Sequence, residues 1–339
     1  MPSRIQRSLL ITVLGAATVF SQGYKTAGSI EIGGKGGWDY LSADSHNRKL
    51  YVSHGTEVAV VDLDTQKLAG TIGGLSRIHG ITEADGLGVG FITDGGANEV
   101  VVFDLKDLSI KNKIKTGTNP DGAVYDPYTE RLFAFNGRSQ DATVIDAKTG
   151  SVAGTVKLGG KPEFPVTDAK GNIYDNLEDK SEIVRIDAKT LAVTAHWPLT
   201  PCESPSGLAI DKASRRLFAV CDNKMMAVVD ADSGKVVATP AIGEGPDAVA
   251  FDPATKQAFS SNGESGTITV VHEDSKNKFT VLQNVATEQG ARTITLDEKT
   301  HTLFLPTAKF GPAPAATAAN AHPRPAILPG TFKVLVVGR

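Results

Sequence analysis

Residues 121–158 run DGAVYDPYTERLFAFNGRSQDATVIDAKTGSVAGTVKL, and this stretch decides the fold. Gly122-Ala123-Val124-Tyr125 is a short strand closed by Asp126. Asp126-Pro127-Tyr128-Thr129 is a turn, where Asp accepts backbone N–H groups and Pro presets φ. Leu132-Phe133-Ala134-Phe135 is a second strand, Asn136 to Gln140 a loop, and Ala142-Thr143-Val144-Ile145 a third strand. Asp146-Ala147-Lys148-Thr149-Gly150 is a hairpin turn, and Ser151 to Val156 an outer strand.

The same grammar recurs along the whole chain. The first Asp returns at Asp44, Asp85, Asp126, Asp168, Asp211, Asp252 and Asp297. The aromatic of the second strand returns at Tyr51, Phe91, Phe133, Tyr174, Phe218, Phe259 and Phe304. The second Asp returns at Asp62, Asp104, Asp146, Asp187 and Asp230, with His272 in its place in the next repeat. Successive second-Asp spacings are 42, 42, 41 and 43 residues. Four short strands per period of that length are propeller blades. A lone blade cannot bury both faces, whereas a closed ring can. The expected fold is an all-β seven-bladed β-propeller. Its seventh repeat ends after a third strand, Phe332 to Val337, without an outer one. Thr26 to Gly34 resembles the outer strand Ala69 to Gly74, so the N-terminal strand is expected to complete the last blade.

Hydrophobic residues make up 40% of the 339 and aromatics 6%, so the core must be mostly aliphatic. Arg4 and Arg7 followed by the apolar run Leu9 to Phe20 read as an export signal over 1–21, leaving 22–339 as the propeller. A periplasmic or secreted location follows, with no membrane span after cleavage, because the run is too short for one. Losing Arg4 and Arg7 takes the formal net charge from −3 to −5, a poor match for nucleic acid. A monomer is expected, with a small molecule or an envelope protein as partner. Cys202 enters the fifth repeat and Cys221 ends its second strand. The two share one rim, so an oxidising compartment permits a bridge; two free thiols are the other arrangement. Residues 310–331 interrupt the seventh repeat with five prolines, a loop that is either a surface arm or a lid.

Leu50-Tyr51-Val52-Ser53, Phe91-Ile92-Thr93-Asp94, Phe133-Ala134-Phe135-Asn136 and Phe259-Ser260-Ser261-Asn262 resemble the Tyr-Val-Thr-Asn motif of the YVTN-repeat (YncE-like) family of bacterial β-propellers. The resemblance covers residues 24–339 and implies the propeller fold. It is similar to surface-layer and binding propellers, one branch of which binds single-stranded DNA. The acidic charge here argues against a nucleic-acid partner.

Five residues before each first Asp stands a ring position expected at the channel mouth: Asp39, Gly80, Asp121, Glu163, Ser206, Asp247 and Arg292. These acids either cap their own strands or crowd the mouth, raising one another's pKa or recruiting a cation. Trp38 is expected there as a stacking platform or a packed rim residue. Arg292 is expected to hold an anionic group of a ligand or to balance Glu163 or Asp247. Asn176, Glu178 and Lys180 read as a polar loop on the same face. His54, His79 and His322 belong to neighbouring repeats and form a candidate divalent transition-metal set, with Asp39, Asp94 or Glu178 adding oxygen. No nucleophile–base pair or phosphate loop is present. Two functions are therefore expected: an exported binding or scaffold propeller of the cell envelope with an acidic mouth site, or a metal-dependent hydrolase or lyase on the same face.

Overall fold

The computed structural model describes residues 23–315 and 325–339. The expected export signal and His322 lie outside the described residues. The chain forms seven four-stranded antiparallel sheets arranged as blades of one ring. In blade three the strands are Pro120–Asp126, Arg131–Asn136, Asp141–Asp146 and Val152–Lys157, inner to outer. Blade seven is composite. Its inner three strands are Thr295–Asp297, Thr302–Thr307 and Lys333–Gly338, and its outer strand is Lys25–Glu31 from the other end of the chain. No helix among the described residues is long and apolar enough to cross a membrane.

Each blade is apolar on both faces through its middle strands, which is why those strands show continuous apolar runs rather than alternation. Val58-Ala59-Val60-Val61 is buried throughout. The buried apolar side chains fall into seven clusters, one at each blade–blade interface. Between blades one and two, Tyr51, Val58 and Val60 meet Ile81, Ile92, Val101 and Phe103. At the closing seam, Ile30 joins Phe304, Phe332, Val334 and Val336 against Leu41, Leu50, Val52, Ala59 and Val61 of blade one. Five of the seven outer strands instead show one buried residue among more open ones, as in Ile110–Lys115, whose lysines charge the edge against further pairing.

The recurring Asp residues anchor turns. Asp126 accepts the Thr129 backbone N–H at 3.0 Å and its hydroxyl at 2.7 Å. At ten of these twelve Asp residues the residue four places on takes positive φ: Arg48, Glu130, Arg215, Lys256 and His301 in inner hairpins, and Gln66, Leu108, Gly150, Leu191 and Gly234 in outer ones. Glycine stands at only two of these ten positions, so the Asp anchor holds the left-handed residue that closes the four-residue loop. Cys202 and Cys221 form a disulfide joining the entry of blade five to the end of its second strand.

Ile30 is nearly sealed, whereas its neighbour Ser29 is exposed. Ile30→Ala should lower unfolding free energy by about 3 kcal/mol, as large-to-small core changes do, and Ser29→Ala by less than about 0.5 kcal/mol. Urea unfolding of both variants checks this; equal effects would mean that the seam is not closed by this strand. The Cys202–Cys221 bridge spans 19 residues. Its replacement by two alanines should cost about 3 kcal/mol on the loop-entropy model, read as a fall in the urea midpoint that reductant reproduces in the parent protein.

Candidate functional site

Loops entering each inner strand and loops leaving each second strand share one face, and at its centre lies a cavity of about 520 Å³. Trp38, Asp39 and Tyr40 of blade one, Arg77 and His79 of blade two, Asp121 of blade three, Lys161 and Glu163 of blade four, Asp247 of blade six and Arg292 of blade seven line it. Tyr40 and Phe164 meet edge to face at 5.0 Å between blades one and four, closing the cup from beneath. Burial and the four acids above it hold the Tyr40 phenol well above its ordinary pKa.

In three of the seven repeats the register that makes the ring is stitched by a hydroxyl two places after the second-strand aromatic. Ser53 Oγ accepts the Asp39 backbone N–H at 2.8 Å, Thr93 donates to the Asp121 carbonyl at 2.5 Å, and Ser261 donates to the Ala248 carbonyl at 3.0 Å. Thr293 donates to the Asp39 carbonyl at 2.7 Å. The backbone at Asp39, at Asp121 and beside Asp247 is therefore held from the neighbouring strand or blade.

Asp39, Asp121 and Asp247 send their carboxylates across blades, whereas Glu163 meets Lys161 of its own blade. His79 Nδ1 lies 2.6 Å from Asp39 Oδ2 and 3.5 Å from Asp121 Oδ1. Arg292 pairs with Asp247, donates to the Trp38 carbonyl at 2.9 Å and lies 3.4 Å from Asp39 Oδ1. Lys161 lies 2.6 Å from Glu163 and pairs with Glu178. Burial tends to raise the Asp39 carboxyl, but the His79 hydrogen bond and the Arg292 charge outweigh it and lower the pKa. Burial pushes Asp121 up to about 6 despite His79, and Glu163 up to about 8 despite Lys161, with Asp121 and Glu163 each among acids that disfavour ionisation. Beside them Asp175 is fully buried with both carboxylate oxygens lacking a partner in bonding geometry. Burial, then Glu163 and Asp121, hold it well above the ordinary range, which the nearby Glu163 backbone N–H only partly offsets.

Six of the seven sequence candidates for ligand binding thus line one cup, and Glu178 stands behind it on Lys161. Trp38 packs at 5.5 Å on Phe332 and 6.0 Å on Phe310, so the rim-packing alternative holds while one side of the indole faces the cup. The 310–331 interruption is rooted here by a bridge between Phe310 and Ile327. His54 does not join His79. It is buried at the closing seam, stacked on Phe332 at 4.3 Å, with both ring nitrogens lacking a hydrogen-bond partner. The aromatic face of Phe332 and the close approach of Gly34 claim the imidazole before it can reach the cup. Asp94 is likewise withdrawn: it accepts the Ser76 and Arg77 backbone N–H groups at 2.8 and 3.0 Å. Asn176 is not in a loop. It lies in the strand Asn172–Leu177 and donates to the Ser206 and Gly207 carbonyls at 2.9 and 3.0 Å.

Among the described residues, the one group of His, Cys, Asp or Glu side chains whose ligand atoms all lie within 4.8 Å of one another is Asp39, His79 and Asp121. Lys161, Tyr40, Arg77 and Asp175 were not singled out from the sequence. Asp175 carried a signal: its register position holds Val52, Ile92, Ala134, Ala219, Ser260 and Leu305 in the other repeats.

No family model matches the chain. Curated relatives do: YncE of Escherichia coli K12, uncharacterised, is 24% identical over 205 residues, covering 56% of this chain and 57% of that one. The Salmonella typhi YncE, also uncharacterised, is 29% identical over 147 residues, 40% of this chain and 41% of its own. The chain is a seven-bladed β-propeller similar in sequence to these YncE proteins. Its matches span between two fifths and three fifths of these relatives' length. Solved structures share the fold at low identity. The WD40 repeats of RRP9 superpose with a TM-score of 0.77 at 8% identity, over 94% of this chain and 99% of that one. Kuenenia stuttgartiensis hydrazine synthase gives 0.70 at 13%, over 87% and 95%.

The shifts at the cup set a pH dependence. A carboxyl whose folded pKa is raised destabilises the fold above that pKa and gains as pH falls towards its unfolded value. Asp121 and Glu163 act this way between about pH 8 and pH 4. His79, raised by Asp39 and Asp121 against its burial, works in the same direction, its contribution being lost as pH rises through its folded value. His54, lowered by burial, opposes them below its ordinary value. Stability should rise from pH 8 to pH 5 by on the order of 2 kcal/mol, and the double change Asp121→Asn with Glu163→Gln should flatten that slope. Urea midpoints at four pH values measure it; a parent profile as flat as the variant's would contradict the assignment.

Proposed function

We propose that this chain is an exported binding propeller of the cell envelope that receives a small polar ligand in the mouth cup. One observation carries the reading: six of seven blades send charged side chains into a single cavity of about 520 Å³, where burial disfavours their charges. Charges held at such a cost to stability are the mark of a site kept for a ligand. The volume suits a small molecule rather than a polypeptide. The Cys202–Cys221 disulfide supports an oxidising location, periplasmic or secreted. The second reading, a metal-dependent hydrolase or lyase, is favoured by the meeting of Asp39, His79 and Asp121 and by the cup's opening to solvent above them.

A thermal-shift panel of organic cations, zwitterions, sugars and small carboxylates tests the binding reading. A ligand at about a hundred times its Kd adds about 2.7 kcal/mol, which is several degrees for a chain of this size. At least one class should raise Tm in the parent and fail to do so in Asp247→Asn and Glu163→Gln. If no class moves Tm, or if every shift survives both substitutions, the cup is not the binding site.

A further inference from the structure

We propose that Asp39, His79 and Asp121 hold a divalent first-row transition-metal ion at the wall of the mouth cup. The proposal rests on the cup being a ligand site and names the ligand that anchors it. The three side chains come from three consecutive blades. Asp39 and Asp121 occupy the same register position in blades one and three, and Gly80 occupies it in blade two. That glycine leaves the gap between the two acids empty, and a Cβ on it would stand 3.1 Å from the Asp121 carbonyl. His79, one residue earlier, turns its imidazole into the gap. The outcome is two carboxylates facing one ring nitrogen.

The distances suit an ion. Ligand bonds of about 2.0–2.2 Å set about 90–110° apart put donor atoms roughly 3.0–3.4 Å from one another. His79 Nδ1 to Asp121 Oδ1 is 3.5 Å. His79 Nδ1 to Asp39 Oδ2 is 2.6 Å, shortened by the proton the two now share. Exchange of that proton for a metal would lengthen the contact by about half an ångström. One atom already points to an absent partner: Asp121 Oδ1 is sealed from solvent and accepts no hydrogen bond. The frame is fixed in advance: the Asp39 peptide is tied by Ser53 and Thr293, its second carboxylate oxygen faces Arg292, and the Asp121 carbonyl is tied by Thr93.

The donor set selects the ion. One imidazole nitrogen and two carboxylate oxygens suit Zn²⁺, Mn²⁺, Co²⁺ or Fe²⁺ better than the all-oxygen preference of Mg²⁺ and Ca²⁺ or the sulfur preference of Cu⁺. Three protein ligands leave coordination positions open to the cup for water or for a polar ligand. Binding displaces the proton on Nδ1, so affinity must fall as pH drops.

The test uses the untagged full chain, stripped with chelator, and titrates Co²⁺ by visible absorption and Zn²⁺ by calorimetry. One ion per chain is expected, with proton release and affinity falling about tenfold per pH unit below the His79 pKa. His79→Gln and Asp121→Asn should each weaken binding at least 100-fold while urea unfolding shows them folded. His54→Gln, at the closing seam, should leave binding unchanged. Absence of a stoichiometric ion, or binding that survives both ligand substitutions, overturns the proposal. Either result beside a panel compound that still raises Tm dismisses the metal and leaves the cup as a binding site; neither ion nor compound dismisses both.

Discussion

Burial of both faces of every blade is the constraint on which the rest depends. A four-stranded sheet with apolar middle strands has two faces to hide and two edges to protect. Seven such sheets meeting face to face hide all fourteen faces, at seven separate apolar clusters. The ring is only as good as its last joint. That joint is made by chain ends more than 300 residues apart, with Lys25–Glu31 hydrogen-bonded along Lys333–Gly338 and Ile30 packed into the seam. Pairing Lys25–Glu31 with Lys333–Gly338 converts the least stable place in a repeat array into a continuous hydrogen-bonded sheet.

The same constraint makes the cup. Inner strands crowd around an axis, and their entry loops bring one residue per blade to the mouth. Side chains at that ring position cannot avoid each other, so their chemistry is collective. Asp247 and Asp39 are balanced by Arg292, and Glu163 by Lys161 with Glu178 behind it. Asp121 has His79, at a longer distance than Asp39 has it, and like Glu163 is left above its ordinary pKa. The imbalance is local rather than global: the chain as a whole is only mildly acidic. Electrostatic cost is thereby concentrated on Asp121, Glu163 and Asp175, the acids whose ionisation burial and their neighbours disfavour.

Much of the fold was legible because the repeat writes the same physical device many times. Asp126 with Thr129 closes an inner hairpin, and the same Asp-anchored turn closes its counterparts, so a period can be counted without any coordinates. The alternation between buried middle strands and exposed outer ones, such as Ile110–Lys115, is local and survives in composition. The ring position was legible for the same reason, since a fixed offset from a fixed turn lands on one face. His54 shows where that logic stops. It stands on the mouth face by register, yet Phe332 and Gly34 hold its ring at the seam. Asn176 was placed in a loop because its repeat drifts from the pattern, whereas pairing with Ile183 keeps it in the ladder.

The amino-acid order by itself determined the blade count, the identity of the closing strand, the turn anchors and which residue of each repeat faces the mouth, because all of these follow from periodicity along one chain. Tertiary structure alone decided which mouth residues touch: that His79 and not His54 stands between Asp39 and Asp121, that Arg292 takes Asp247 and Asp39, and that Asp175 is buried beside Glu163. Those outcomes depend on side-chain direction and competing contacts between blades some 40 residues or more apart, and no local pattern encodes a competition between partners that meet only when the ring shuts.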